Sequence, residues 1–287
     1  MSSGLPPEER AKWDALIKQE GGAMGLSGCR AFLENKLVND IFYEGEFNGV
    51  PCVVKCSSRA PESIANEYEM SKRLLAADPG VCAEALALWR SEDGRRAFVV
   101  TRRLAGPSLT EMIARGAEAG ETIRVMEDML RIAAALQKAG IVWRDIIPDN
   151  FLCGADGRLR LIDAQFAIDR NDFSEDPYLK SRWTYRTLLF AHHPDMAGRG
   201  WNDVAMMLHF TRLLPRCDIA DELRERLRGM VASAAFPVDF GFWDEMRMVA
   251  YLVGLKLRIP FAPPKKRQVL HERASRAVRF LKRRKSW

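Results

Sequence analysis

The sequence predicts an α+β fold of two lobes, in which a small, strand-rich N-terminal lobe with one main helix precedes a larger, mostly helical lobe. Two apolar runs, residues 41–47 and 50–56, flank Asn48-Gly49, a strong signal for a type I′ β-hairpin. Beyond Gly106 the apolar residues recur every three or four positions, as on one face of a helix. A cleft between two such lobes is a natural ligand site.

The first hundred residues are predicted to hold an extension and the small lobe. Residues 1–27 contain a short polar helix among Pro and Gly and are predicted to be a peripheral N-terminal extension. The small lobe, residues 28–103, adds to the hairpin a helix over residues 62–76 and a further strand over residues 97–104.

The remainder is predicted to hold the larger lobe, residues 104–262, and a C-terminal tail, residues 263–287. One helix face is marked by the apolar residues Ile123, Met126, Leu130 and Ala133. A second hairpin is predicted over residues 151–163, and further helices over residues 204–214 and 242–257.

Composition narrows the classes of function. Six Cys without a C-x-x-C pair and only four His argue against a zinc site and indicate reduced thiols, as in a cytoplasmic protein. The N-terminus shows no signal-peptide pattern, and the longest apolar run, residues 248–255, is far shorter than the roughly 20 residues that span a bilayer. We therefore expect a cytoplasmic location.

The basic charge is concentrated at the C-terminus. Residues 263–287 contain ten Lys or Arg and one acid, a net +9, so the rest of a chain whose total is +6 carries about −3. Leu270, Ala274 and Leu281 lie near one face of a predicted basic helix, which suits an anionic surface such as the inner face of the cytoplasmic membrane. The alternatives are a helix packed on the large lobe and a patch that binds nucleic acid nonspecifically, although nucleic acid is not the expected partner.

Three polar residues have types and spacing suited to phosphate chemistry. Asp145 and Asn150 are separated by four residues on a loop between a helix and a hairpin, and Asp163 ends the second strand of that hairpin. A carboxylate can accept or orient a hydroxyl proton, while an amide oxygen and a second carboxylate can hold Mg²⁺ between phosphates. We therefore expect Asp145 to be catalytic and Asn150 and Asp163 to be metal ligands.

A lysine on a strand of the small lobe completes this set. Val53 and Lys55 share one face of the predicted strand because side chains alternate along it, and a Lys among apolar neighbours needs a charged partner. Glu67, on the following helix, can supply one. We expect Lys55 to contact phosphates, Glu67 to orient it, and Val53 to line the same ligand site.

In order, spacing and context this set resembles the protein-kinase superfamily. The H-R-D-x-x-x-x-N catalytic loop of that family matches residues 143–150 (WRDIIPDN), and its metal-binding D-F-G matches residues 163–165 (DAQ). Its V-A-I-K strand matches residues 52–55 (CVVK), and its helix-borne Glu is best matched by Glu67.

The resemblance implies a bilobal protein-kinase-like fold over roughly residues 30–255, with ATP and Mg²⁺ as cofactors. It places the hinge that holds adenine at residues 101–104, so Arg102 and Leu104 are expected to bind the nucleotide through backbone groups. It also makes Asp203 the buried acid that holds the backbone of the catalytic loop.

Several positions depart from the family pattern. Residues 32–40, where a glycine-rich loop would cover the phosphates, contain no Gly, and Trp143 replaces the catalytic-loop His. Ala164 and Gln165 replace the Phe and Gly after the metal-binding Asp, and Ile147 stands where Ser/Thr kinases carry a Lys. No A-P-E motif follows. These departures argue against an ordinary regulated protein kinase.

Within the superfamily the chain is similar to bacterial lipopolysaccharide core kinases, which phosphorylate heptose or Kdo and share the Ile-Asp that ends the metal-binding strand, here Ile162-Asp163. That likeness implies a sugar or lipid-linked sugar as acceptor. The leading hypothesis is an ATP-dependent phosphotransferase that acts on a hydroxyl of a core sugar or another small molecule. The alternatives are a Ser/Thr/Tyr protein kinase and a pseudokinase that serves as a binding module.

Each site residue also has a plain structural explanation. Asp145 could cap a turn, and Asn150 could satisfy loop backbone. Lys55 could lie on an exposed edge strand, and Glu67 could belong to a solvated helix face. Their joint occurrence in the order of the family favours the functional explanation.

Overall fold

A computed structural model describes residues 6–35, 40–58, 60–171 and 202–234, together with parts of residues 249–278. The strands are β1 (Leu26–Asn35), β2 (Asp40–Phe47), β3 (Val50–Ser57), β4 (Ala85–Arg90), β5 (Ala97–Arg102), β6 (Ile141–Val142), β7 (Phe151–Cys153), β8 (Leu159–Leu161) and β9 (Ile168–Asp169). The helices are α1 (Pro7–Leu16), α2 (Gly22–Met24), α3 (Pro61–Ala77), α4 (Leu109–Arg115), α5 (Ala119–Ala139), α6 (Asp203–Thr211) and α7 (Asp218–Ala234). The predicted fold class is confirmed: a strand-rich lobe is followed by a mostly helical lobe, in a bilobal protein-kinase-like arrangement.

The small lobe is built on one antiparallel sheet with the strand order β1-β2-β3-β5-β4. β2 and β3 form the predicted hairpin, and Asn48 and Gly49 adopt φ values of 50° and 78°, as a type I′ turn requires. Helix α3 begins at Pro61, whose fixed φ suits the first helical turn, and it packs against β4 and β5. The hairpin strands and this helix lie within one residue of their predicted bounds.

The N-terminal segment is part of the small lobe. Trp13 and Ile17 lie one helical turn apart, and both are buried in the core of that lobe together with Tyr43. Tyr43 Oη also donates a hydrogen bond of 2.7 Å to Asp14 Oδ1. The segment therefore differs from the peripheral extension expected for residues 1–27, because the buried side chains of Trp13 and Ile17 anchor it.

The large lobe is organised around α5. Met126 and Ala133, both from the predicted apolar face, are fully buried, and α5 packs against α7 and the β7–β8 hairpin. The buried Asp128 fixes that hairpin, since it accepts hydrogen bonds from Leu159 N at 2.8 Å and from Arg158 Nε at 2.7 Å. The predicted second hairpin and the helix expected near residue 204 are both confirmed.

Backbone hydrogen bonds join the two lobes beside the connection from β5 to α4. Ala83 N, before β4, donates to Leu161 O, and Leu161 N donates to Val81 O, both at 2.9 Å. Gly106 N donates to Cys153 O at 2.9 Å, and a Cβ at Gly106 would meet that carbonyl oxygen at 2.6 Å. The two bonds of Leu161 tie the end of β8 to the segment before β4, and the bond of Gly106 ties the connection after β5 to the end of β7.

The C-terminal predictions fall only partly within the described residues. Of the helix predicted over residues 242–257, the part up to residue 248 lies outside them, and the described positions beyond it are helical. In the tail, Leu270 and Ala274 are buried with Ala262, while residues 279–287 lie outside the described part. None of the described helices is long and apolar enough to cross a membrane.

Candidate active site

A buried lysine ammonium lies at the centre of the cleft. Lys55 stands on β3 opposite Phe42 of β2, and only 5% of the residue is exposed. Its Nζ donates hydrogen bonds to Glu67 Oε2 at 3.0 Å, to Asp163 Oδ1 at 2.7 Å and to Gln165 Oε1 at 3.0 Å. Three elements that are far apart in the sequence, β3, α3 and the turn after β8, therefore converge on one ammonium group.

The neighbouring carboxylates determine the charge on Lys55. Burial would lower the pKa of Lys55, but Asp163 and Glu67 outweigh burial and hold that pKa well above its usual value. Burial raises the pKa of Glu67 to about 7, against the attraction of Lys55. The 3.0 Å contact with the protonated ammonium favours the ionised form of Glu67 and opposes the effect of burial.

The residues around Asp163 are fixed by α3. Asp163 adopts a left-handed backbone conformation, with φ 66° and ψ 68°, at the start of a single tight turn. Asn66, next to Glu67 on α3, donates from Nδ2 to Ala167 O at 2.8 Å and to Gln165 O at 3.2 Å. Two consecutive residues of one helix therefore orient the ammonium group and the backbone that follows Asp163.

The loop that carries Asp145 is fixed from beneath by a buried acid. Asp203, the first residue of α6, accepts hydrogen bonds from Trp143 N at 2.6 Å and from Arg144 N at 3.0 Å. Arg144 has a φ of 67°, and its Nε donates to Phe166 O at 2.5 Å. The structural role expected for Asp203 is confirmed.

Asn150 lies against Asp145. Its Nδ2 donates to the Oδ2 atom of Asp145 at 2.8 Å and to the carbonyl oxygen of the same residue at 3.0 Å. Because the NH₂ end of the amide is turned to Asp145, the Oδ1 atom of Asn150 points away from it and can serve as a cation ligand. Ile162 N donates to Asn150 O at 2.9 Å, which ties this loop to the residue before Asp163.

Asp145 belongs to the same electrostatic cluster. Burial raises its pKa to about 6, Asp163 adds to the shift, and Asn150 and Lys55 oppose it. The carboxylate is therefore ionised near pH 7.5, yet its pKa is close enough to that pH for it to take up a proton during a reaction.

One cavity of about 330 Å³ brings most of the predicted residues together. Six of the eight predicted site residues line it, namely Val53, Lys55, Glu67, Arg102, Leu104 and Asp163. Asp145 and Asn150 are not among its lining residues; they are connected to it by the backbone bond from Ile162 and by the charge interactions of Asp145. The remaining walls are Leu33, Phe42, Ala83, Thr101, Leu152 and Ile162.

The connection after β5 contains a backbone donor beside this cavity. Arg102 N donates to Glu84 O at 2.8 Å and Arg103 N donates to Pro51 O at 2.9 Å, so both are used within the protein. Leu104 lines the cavity, and its N–H donates to no backbone carbonyl in the part of the chain that the structure describes. The Leu104 N–H can therefore serve a ligand, whereas the Arg102 side chain is held by Glu84 Oε2 at 2.7 Å.

Sequence reasoning assigned no role to three polar residues of the site, Asn66, Gln165 and Asp40. Asp40, the first residue of β2, is 3% exposed, and burial raises its pKa to about 6 against the attraction of Lys55. In the sequence, a role for Asn66 is indicated by its position directly before Glu67. Gln165 stands where the family has Gly, so the resemblance offered no counterpart for its side chain.

No protein-family model matches the chain, whereas several curated proteins do. Casein kinase I homolog 2 of Saccharomyces cerevisiae is 29% identical over 158 residues, which are 51% of this chain and 27% of that protein. Casein kinase I homolog 1 of the same yeast is 28% identical over 158 residues. The O-antigen chain terminator bifunctional methyltransferase/kinase WbdD of Escherichia coli is 31% identical over 106 residues, 36% of this chain and 15% of that protein.

These similarities relate the chain to protein-kinase-like proteins and support a phosphotransferase in general. The matched segments span less than a third of the length of each of these proteins. The narrower likeness to heptose and Kdo kinases is not confirmed by them and stays a prediction.

Proposed function

We propose that the chain is an ATP-dependent phosphotransferase that transfers a phosphoryl group to a hydroxyl of a sugar, of a lipid-linked sugar or of another small molecule. The observation that carries this proposal is the position of the Lys55 ammonium, which contacts Glu67 at 3.0 Å and Asp163 at 2.7 Å at the wall of a cavity. Kinases hold nucleotide phosphates with a lysine oriented in this way by a helix-borne Glu.

The cavity offers suitable groups for each part of ATP. The N–H of Leu104 suits one hydrogen bond to adenine, and the side chains of Val53 and Phe42 suit the apolar faces of the ring. Lys55 lines the same cavity, where its positive charge suits phosphate oxygens.

The oxygen donors beside Lys55 fit Mg²⁺. Asp163 offers a carboxylate and Asn150 offers the amide oxygen turned away from Asp145, and both are the hard ligands that Mg²⁺ prefers. The described residues hold no group of three or more His, Cys, Asp or Glu that could bind a metal without help. In kinases Mg²⁺ is held by one or two protein ligands together with water and substrate phosphates, and it would neutralise the charge of the transferred group.

Asp145 is the proposed catalytic residue. Its carboxylate would orient the acceptor hydroxyl and take up the hydroxyl proton, for which a pKa of about 6 is suitable. The 2.8 Å bond from Asn150 fixes the carboxylate, and Asp203 fixes the backbone of the loop. Phosphoryl transfer requires little covalent chemistry of the protein, so the rate would come from positioning and charge neutralisation.

Features of the sequence favour a small acceptor over a protein. Ile147 supplies no charge to the transferred phosphate, and no A-P-E motif, which ordinary protein kinases carry after the metal-binding Asp, follows Asp163. WbdD, described as an O-antigen chain terminator, supports a carbohydrate acceptor by analogy. The yeast casein kinase homologs match a longer stretch of this chain, so a protein acceptor is the second candidate.

The acceptor is tested by incubating the chain with Mg²⁺ and γ-labelled ATP, with lipopolysaccharide core precursors in one reaction and purified proteins in another. Wild type and Asp149→Asn, an exposed neighbour in the same loop, should label the glycolipid. Asp145→Asn should lower the rate by about 10²–10⁴-fold while nucleotide affinity is retained.

If the label appears on protein alone, a protein acceptor would replace the sugar or small molecule as the first candidate. The absence of turnover together with the absence of stabilisation by Mg-ATP would favour a pseudokinase that acts as a binding module. Equal activity of Asp145→Asn and wild type would remove Asp145 from the mechanism.

We also propose that the chain is cytoplasmic and that its tail, residues 263–287, draws it by charge to the inner face of the cytoplasmic membrane. The tail carries a net +9, and each Lys or Arg near an anionic surface contributes about 1 kcal/mol. Leu270 and Ala274 are buried, so the attraction would come from basic side chains and not from an inserted apolar face. Cosedimentation with phosphatidylglycerol vesicles should fall as salt rises; equal binding to neutral phosphatidylcholine vesicles would reject the proposal.

A further inference from the structure

The ammonium group of Lys55 uses all of its donors. An ammonium carries three N–H donors and no acceptor. Lys55 contacts three side-chain oxygens, on Glu67, Asp163 and Gln165, at distances of 2.7 to 3.0 Å. A phosphate oxygen would have to displace one of these acceptors to obtain a hydrogen bond of its own. The proposed function therefore requires that one of the three contacts give way.

Gln165 makes the weakest of the three contacts. Glu67 and Asp163 are carboxylates, and hydrogen bonds between two ionised groups are stronger than a bond to a neutral amide. Glu67 is also buried, so separating it from Lys55 would leave a carboxylate without its cation. Gln165 is only partly buried, and its Nε2 makes a long contact of 3.4 Å to Asp163 Oδ2.

The backbone of Gln165 is held independently of its side chain. Asn66 Nδ2 donates to Gln165 O at 3.2 Å and to Ala167 O at 2.8 Å, and Ala164 at the start of the turn is fully buried. A glutamine side chain has three rotatable bonds. It can therefore leave Lys55 while the turn after Asp163 stays in place.

We propose that Gln165 is a positioning residue that holds the Lys55 ammonium and is exchanged for a phosphate oxygen when nucleotide binds. The inference rests on the proposed function, since it takes Lys55 to be the phosphate ligand. Because Gln165 competes with the nucleotide for one donor, its side chain lowers nucleotide affinity. A net hydrogen bond of ordinary strength corresponds to about two- to tenfold in a dissociation constant.

Two substitutions of Gln165 are expected to act in opposite directions. Gln165→Leu removes the competing acceptor, so the Kd of a nonhydrolysable ATP analogue with Mg²⁺ should fall by about two- to tenfold. The KM for ATP should fall with it while kcat is retained. Gln165→Glu places a third carboxylate on Lys55, where it also repels phosphates, and should raise that Kd by about tenfold or more.

The control is another glutamine outside the cleft. Gln137, on α5, contacts Ser233 Oγ at 3.1 Å and is not among the residues that line the cavity, so Gln137→Leu should leave the Kd unchanged. Calorimetric titration gives the Kd, and thermal unfolding of each variant monitors the fold. If Gln165→Leu fails to fold, Gln165→Asn, whose amide is one methylene shorter, replaces it with the same expected direction.

A residue with a merely structural role would weaken binding in both Gln165→Leu and Gln165→Glu. Nucleotide affinity of Gln165→Leu equal to or lower than that of wild type, when wild type binds, overturns the inference alone. If wild type binds no nucleotide, the proposed function fails and the inference falls with it. The two failures are therefore distinguishable in one experiment.

Discussion

Replacing Lys55 by Met is expected to destabilise the chain strongly and in a pH-dependent way. The side chain is nearly fully buried, and three acids act on its charge, Asp163, Glu67 and Asp40. Met keeps a similar length and apolar stem but removes the charge. Without the ammonium, these carboxylates would lie close together in the cleft without the group that balances them.

The size of the effect can be estimated from the same contacts. Breaking a buried ion pair by removing one partner costs about 3–5 kcal/mol. Protonation relieves part of that cost, and burial already raises the pKa of Glu67 to about 7 and that of Asp40 to about 6. When the pKa of an acid is higher in the folded chain than in the unfolded chain, the folded chain loses stability as the pH rises from the unfolded pKa to the folded pKa. We therefore expect the full penalty at pH 8 and a smaller one at pH 5.

The assay is urea unfolding followed by tryptophan fluorescence at both pH values. Lys72→Met, an exposed position on α3, is the matched control and should change the free energy of unfolding by less than about 0.5 kcal/mol. Adding Glu67→Gln to Lys55→Met should recover part of the loss at pH 8. Equal losses at pH 5 and pH 8, or a further loss on adding Glu67→Gln, would refute the reasoning that charge balance around Lys55 stabilises the cleft.

Three other residues carry further predictions. Trp13→Ala should lower the free energy of unfolding by about 3–5 kcal/mol in urea titrations, because the fully buried indole lies in the core of the small lobe; a loss well under about 1 kcal/mol would mean that α1 is peripheral. Asp203→Asn should lower turnover by about 100-fold with nucleotide affinity retained, because the loop of Asp145 would lose one of its two carboxylate contacts; a parallel loss of affinity would contradict this separation. Asp40→Asn should remove about 1.4 kcal/mol of the stability lost between pH 5 and pH 8, because the folded pKa of about 6 lies about one unit above pH 5 while the usual 3.8 lies below it; an unchanged pH profile would show that Asp40 does not titrate in this range.

The sequence predicts those parts of the fold that depend on residues close together in the chain. The hairpin at Asn48-Gly49 and helix α3 depend on residues within a few positions of one another, and both were placed correctly. β1 was not predicted because register shifts between Ser27 and Arg30, and again after Ala31, interrupt the alternation that marks a strand. β4 was also not predicted, because its sequence ALALWR is rich in residues that favour helices.

The candidate site likewise contains residues that the sequence indicates and contacts that it does not indicate. The sequence was sufficient to propose Lys55, Glu67 and Asp163 as site residues. Few charged residues lie among apolar neighbours, and these three occur in the order of a known family. The contact of Gln165 with Lys55 could not be proposed, because it joins residues 110 positions apart and depends on how one turn faces one strand. The roles of Val53, Arg102 and Leu104 stay predictions, although all three line the cavity with Lys55.

One crevice is proposed to hold a nucleotide through Lys55 and a divalent ion through Asn150 and Asp163. The most direct measurement is calorimetric titration of the chain with a nonhydrolysable ATP analogue, once with Mg²⁺ and once with EDTA. Wild type should bind more tightly with Mg²⁺, and Asp163→Asn should lose this Mg²⁺ dependence while its thermal unfolding still shows a folded chain. Wild-type binding that is equal with and without Mg²⁺, or no binding at all, would contradict the proposed convergence of these side chains on Mg-ATP.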